Sequence, residues 1–228
     1  MARSQQKRSV STIAELKSAT VALIAERGYA SITTNEIARR AGVSRGALLH
    51  HYPHKINLIV DAATDVWRDA AVHVRRLSEA LCKSADNVDA FVDGMWNHVF
   101  REEVVKMSID LVSAAQADVA LRARIEPSLR QMFDSYGEIA NQAFAGSGMS
   151  QDERLNLVSF ATCAICGLRV QNIMAPSPDM TRAVLRELKG YIRSSLECGV
   201  TGRELASVQG EKPLISPGTV SLQARSRQ

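Results

Sequence analysis

At 228 residues the chain is long enough for one large or two modest domains with a buried core, and it does not depend on disulfide staples. Its four cysteines (Cys82, Cys163, Cys166 and Cys198) show no repeated ligand-like pairing, no apolar run near the N-terminus reads as a leader, and the longest apolar stretches are broken before the roughly 20 residues of a membrane span, so a soluble cytoplasmic protein without disulfides is expected. The net charge of +4 is unevenly spread: residues 1–59 hold nine Lys or Arg against three acids, a net of +6, and the remainder nets −2, which suits a polyanionic partner as well as it suits a plain solvated face.

Apolar residues recur at three- and four-residue spacing almost throughout, and no alternating run is long enough for a strand, so an all-α chain is predicted. Residues 1–10 read as a flexible basic arm, with Arg3, Lys7 and Arg8 available to phosphates or simply to solvent. The first helix is predicted from Thr12 to Arg27, with Ile13, Leu16, Thr20, Leu23 and Ile24 on one face and Gly28 ending it.

The sharpest local signals lie between Ile32 and Tyr52. Thr33 and Glu36 have capping-box spacing, and Ile32 with Ile37 has the spacing of a hydrophobic staple, so a short helix is predicted to start at Thr34. Gly42 stops it by leaving toward the left-handed region. After Val43 alone, Ser44 stands as the cap of a second short helix, Val43 and Leu48 repeat the staple, and Pro53 closes it. Two short helices around a tight glycine turn make either a structural corner or a helix-turn-helix whose second helix reads a major groove. Leu48 and Tyr52 share the inner face of that second helix, which leaves Ser44, Arg45, Ala47, His50 and His51 outward, while Gly46 permits close approach to DNA.

A long helix is predicted after Pro53 to about Leu81, followed by helices near Asn87–Phe100, Glu103–Ala117, Val119–Ala145 (with Pro127 an interior break or early-turn residue), Gln151–Met174 and Met180–Cys198. Gly146 to Gly148 and Pro176 to Pro178 are the clearest turns between them. Over 207–228, Gly, Pro and Ser replace the helical pattern, and a disordered tail is expected, with Arg225 and Arg227 near its end.

The order and spacing of Gly28-Tyr29, Thr33-Thr34, Ile37-Ala38, Ala41-Gly42-Val43-Ser44, Gly46-Ala47-Leu48 and Tyr52-Pro53-His54-Lys55 resemble the DNA-binding pattern of the TetR family of bacterial repressors over roughly residues 11–60. The resemblance implies an N-terminal helix-turn-helix domain (11–60) followed by a helical ligand-binding and dimerisation domain (61–200). It places phosphate contacts on Thr33 or Thr34 and on Lys55, and groove contacts on Ser44, Arg45, Gly46, Ala47, His50 and His51. Arg45 is the candidate for a bidentate guanine contact. The family commonly has a phosphate-contacting tyrosine where this chain has Leu49, which donates no hydrogen bond; His50 or His51 is the candidate substitute, and both would make DNA binding strengthen on acidification.

What the resemblance further implies is a homodimer through Gln151–Met174 and Met180–Cys198, a palindromic operator in double-stranded DNA, and release by a largely apolar small molecule. Trp67, Phe91, Met95, Trp96, Phe100, Met107, Phe133, Tyr136 and Phe160 are the candidate pocket residues, and at helical spacing they serve equally as core. Cys163 and Cys166 share a helix face among Ala161, Ala164 and Gly167, where close helix packing competes with a metal or redox role. His73 and His98 look isolated. No glycine-rich phosphate loop, metal-ligand cluster or nucleophile with a partnered base is apparent, so neither an enzyme nor a cofactor is expected.

Overall fold

Nine α-helices and one π-helical turn make up the regular structure of the residues that the computed structural model describes, 2–81, 88–145 and 147–201. In chain order they are α1 (Ala2–Arg27), α2 (Thr34–Arg40), α3 (Arg45–His51), α4 (Lys55–Leu81), α5 (Val88–Gly94), a π-turn (Met95–Val99), α6 (Glu102–Ala117), α7 (Val119–Ala143), α8 (Gln151–Met174) and α9 (Pro178–Thr201). The tail over 207–228 and Cys82 lie outside the described residues.

Two boundaries differ from the sequence expectation. The arm expected over residues 1–10 is the opening of α1, which is helical from Ala2. That stretch lacks Gly and Pro and is rich in Ala, Gln, Lys and Arg, so a helix nucleated by the packed residues downstream extends backward at one hydrogen bond per residue. The helix expected over Asn87–Phe100 is α5 as far as Gly94 and then a π-turn, in which the Phe100 N–H reaches back to the Met95 carbonyl at 2.9 Å. Arg169 on α8 receives that turn: Nε and Nη2 donate to the carbonyls of Phe100 and Trp96 at 2.7 Å each, and the guanidinium lies 3.4 Å from the centre of the Trp96 ring. At Pro127 the helix continues, so α7 gives up a backbone donor without breaking.

Two hydrophobic cores are stacked along α4. The N-terminal one gathers Leu16 and Ile24 of α1, Ile32, Ile37 of α2, Leu48 of α3 and Leu58, Ile59 and Trp67 of α4, and it is completed by Met107 and Leu111 of α6 and Leu121 and Ile125 of α7. The second joins Ala70 and Val74 of α4 to Phe91, Met95, Ile139, Phe144, Leu157, Val158, Ile165, Leu188 and Ile192. Each fully buried side chain of this size contributes about 1.5–3 kcal/mol of transfer free energy. The three N-terminal helices are therefore not packed alone: α6 and the head of α7 supply part of their core.

Helix α8 corrects the expectation that every apolar stretch is interrupted early. By length and composition Gln151–Met174 is long and apolar enough to cross a membrane, because the only charge between residues 155 and 172 is Arg169. In this fold that arginine is bound to the π-turn, and Leu157, Val158, Ala161, Ile165 and Leu168 are buried within the bundle.

Candidate nucleic-acid interface

The turn between α2 and α3 is built as its residue types dictate. Thr33 is extended (φ −119°, ψ 156°), its Oγ1 accepts from the Glu36 N–H, and the Glu36 carboxylate accepts from the Thr33 N–H at 3.0 Å, so the capping box is complete. At the other end Gly42 has φ 68°, the Val43 N–H returns to the Ala38 carbonyl at 3.0 Å and the Gly42 N–H to that of Arg39 at 3.2 Å, a Schellman stop. Ser44 Oγ then accepts from the Ala47 N–H at 3.1 Å and starts α3. Ile32, Ile37 and Leu48 are fully buried beneath.

This burial fixes which face of α3 looks outward. Leu48 and Tyr52 point into the core, Ser44, Arg45, Gly46, Leu49 and His50 are exposed, and Ala47 and His51 are half-buried. The His50 and His51 rings meet edge to face at 5.2 Å. Two of the neighbouring arginines are committed to intramolecular pairs: Arg40 holds Glu26 through two hydrogen bonds of 2.8 and 2.6 Å, and Arg27 pairs with Glu36. Arg45, by contrast, has no ion pair among the described residues. Hydrogen bonds from Thr33 first, then from Arg27, hold the Glu36 carboxyl below its ordinary range.

Of the two threonines, the structure separates their prospects. The Thr33 hydroxyl donates to the Glu36 carboxylate at 2.9 Å, whereas Thr34 is half-buried at the first position of α2, outside that box. Lys55 opens α4 with Nζ donating to the Ile32 carbonyl at 3.0 Å and standing 5.3 Å from the centre of the Tyr29 ring, which leaves its other two N–H donors for an anion.

Behind α3 a polar strut ties its end to α1 and α4. The Tyr52 hydroxyl donates to Asp61 at 2.5 Å, and Lys17 reaches Asp61 at 2.8 Å and Asp65 at 2.6 Å. Burial alone would raise the Asp61 carboxyl, but the hydrogen bonds from Lys17 and Tyr52 and the lysine charge outweigh it and hold Asp61 below its ordinary 3.8. Burial and the hydrogen bond to Asp61 push the Tyr52 phenol far up. Sequence reasoning missed this strut and also the one at Tyr29, whose backbone N–H donates to Asp110 of α6. Both join residues far apart in the chain, and no local pattern marks them.

The candidate pocket residues are divided between the two cores and the surface. Trp67 and Met107 lie in the N-terminal core, where Trp67 Nε1 donates to Ser108 Oγ at 2.9 Å; Phe91, Met95, Phe100 and Tyr136 lie in the second core. Trp96 is half-buried under Arg169, and Phe133 and Phe160 are exposed. Cys163 is exposed and Cys166 half-buried, where burial first and the neighbouring thiol second push its pKa up. His73 and His98 are not isolated as expected: their rings stack 5.9 Å apart, because α4 packs on the π-turn.

Over residues 16–62 the chain matches the bacterial regulatory proteins of the tetR family. It is 28% identical over 172 residues to the HTH-type transcriptional regulator CymR of Pseudomonas putida, covering 75% of this chain and 84% of CymR. An HTH-type transcriptional regulator of Mycobacterium tuberculosis is 25% identical over 203 residues, 86% of this chain and all of the relative. Among solved structures the fold is similar to a TetR-family transcriptional regulator from Mesorhizobium loti (TM-score 0.65, 17% identity, 86% of this chain and 98% of that one). It is also similar to the transcriptional regulator FadR of Bacillus subtilis in complex with stearoyl-CoA (TM-score 0.54, 18% identity, 82% and 97%).

Proposed function

We propose that the chain, whose residues 16–62 match the tetR family, is a transcriptional regulator of that family rather than an enzyme, acting in the cytoplasm as a dimeric repressor that binds a palindromic operator and is released by a small apolar effector. The observation that carries the reading is the outer face of α3: a short helix, capped at both ends, presents Arg45, which has no ion pair among the described residues, between small residues that let the helix sink into a major groove. Thr34 and Lys55 flank it as phosphate contacts, and Ser44, Gly46, Ala47, His50 and His51 complete the surface. Leu49, 38% exposed, offers an apolar contact to a thymine methyl where the family has a tyrosine.

A second copy suits the outer face of α8 and α9. Phe160 (50% exposed), Met174 (82%) and Tyr191 (52%) stand out of the single chain, with Phe160 and Tyr191 in ring contact at 4.9 Å. Large apolar side chains at this exposure favour burial by a partner, and a two-fold axis there would direct the two α3 helices to half-sites about 34–36 Å apart. For the effector, Phe91, Met95 and Tyr136 of the second core are the lining we favour. FadR binds stearoyl-CoA, a ligand with a long apolar chain, which is in keeping with an apolar effector. DNA and effector then each weaken the other's binding by the same factor.

A gel shift with the DNA flanking the protein's own gene tests the reading. Retardation that survives an excess of unrelated duplex supports it, and retardation abolished by that competitor leaves only charge-driven binding and defeats it.

A further inference from the structure

Tyr29 sits at the corner between α1 and α2, and the body of the protein holds it at two points. Its backbone N–H donates to the Asp110 carboxylate of α6. Its phenol lies against Asp118, the residue that caps α7 by accepting from the Leu121 N–H at 2.9 Å. Burial first, then the charge and hydrogen bonding of Asp118, raise the phenol's pKa. The corner can adopt this position because Gly28 has φ 81°, and a Cβ there would stand 3.5 Å from the Asp110 Oδ1. On its outer side the same ring carries Lys55, whose ammonium is 5.3 Å from the ring centre and whose other contact is the Ile32 carbonyl, just ahead of the α2 cap.

We propose that Tyr29 is a positioning residue, held by Asp110 and Asp118, through which α6 and the head of α7 set the reach of Lys55 toward the DNA backbone. The ring restricts a flexible four-carbon side chain to one side of the α4 start, so that its two remaining donors face outward. A displacement of α6 or α7 relative to α1 shifts the ring and, with it, the ammonium. This inference rests on the assignment of Lys55 as a phosphate contact.

A double-mutant cycle on DNA binding tests it. The full-length protein and the variants Tyr29→Leu, Lys55→Ala and Tyr29→Leu/Lys55→Ala are titrated against a short duplex of random sequence at several salt concentrations, with helix content checked by circular dichroism. The expected result is a loss of about two- to fivefold for Tyr29→Leu, a slope of log affinity against log salt reduced by about 0.9 in Lys55→Ala, and no further loss when Tyr29→Leu is added to Lys55→Ala. Equal losses from Tyr29→Leu in both backgrounds, or none in either, overturn the proposal, since a merely structural residue acts regardless of Lys55. Should Tyr29→Leu fail to fold, Asp118→Asn, which keeps an acceptor for the Leu121 N–H, enters the same cycle under the same criteria. An unmodified protein that binds no duplex overturns the DNA reading itself and is distinguishable from either outcome.

Discussion

Arg45 and Lys55 are cations at the same end of the molecule, and their surroundings give them different work. Arg45 is exposed on the outer face of α3 with no ion pair among the described residues, while Lys55 is already oriented by a carbonyl and a ring. Arg45→Ala is therefore expected to lower affinity for the operator by about 1–3 kcal/mol while leaving random duplex nearly unaffected, whereas Lys55→Ala lowers both alike and flattens the salt dependence. Competition titrations with operator and random duplex measure the two effects; uniform losses in both variants would contradict the division of roles. The edge-to-face pair His50 and His51 belongs to the same surface.

At the scale of elements, what sequence could show is what neighbouring residues decide. The capping box at Thr33 and Glu36, the Gly42 stop and the Ser44 cap are each settled within four positions, and all three are in place. The π-turn was not legible, because what stabilises it is Arg169, some seventy positions later, taking the carbonyls of Trp96 and Phe100. The stacking of His73 on His98, the Tyr29 clamp and the scattering of the candidate pocket residues were hidden for the same reason: tertiary packing, not period, chose them. The strut of Lys17, Tyr52 and Asp61 is another such case, and its pH dependence has a definite sign. Asp61 has its folded pKa depressed, so its contribution is present above the ordinary carboxylate pKa and is lost as pH falls through the depressed value. Burial opposes the charge of Lys17, but the hydrogen bonds it donates to Asp61 and Asp65 raise its pKa, so its contribution is present below the ordinary lysine value and lost as pH rises through the raised one. Lys17→Met should therefore cost about 0.5–1 kcal/mol at neutral pH, a modest amount because Asp61 is 42% exposed. Urea unfolding at a series of pH values should show that cost shrinking in acid; a cost independent of pH would mean the strut contributes only packing.

For the whole molecule, the decisive surface is the one a single copy leaves uncovered. In the interface proposed above, Phe160→Asp would place a charge beside Tyr191, and it is expected to shift the protein from dimer to monomer at micromolar concentration, as read by analytical ultracentrifugation. Operator affinity should fall with it, since two half-sites are then no longer held by one particle; a variant that stays dimeric would move the interface elsewhere. Helix α4 bears on how such a particle lets go of DNA. It has 27 residues and both ends are embedded, Leu58 to Trp67 in one core and Ala70 to Val74 in the other. A helix embedded in two cores moves as a rod, and any tilt of it carries the N-terminal core along. At 1.5 Å per residue it is about 40 Å long, so under the proposed effector control a tilt of about 5° about its C-terminal end would sweep Lys55 through about 3.5 Å, close to the roughly 3.4 Å rise of one base pair. In the dimer proposed above, two such rods would add their sweeps, and a small rearrangement at the far end of each would become a mismatch of about two base-pair steps between protein and operator.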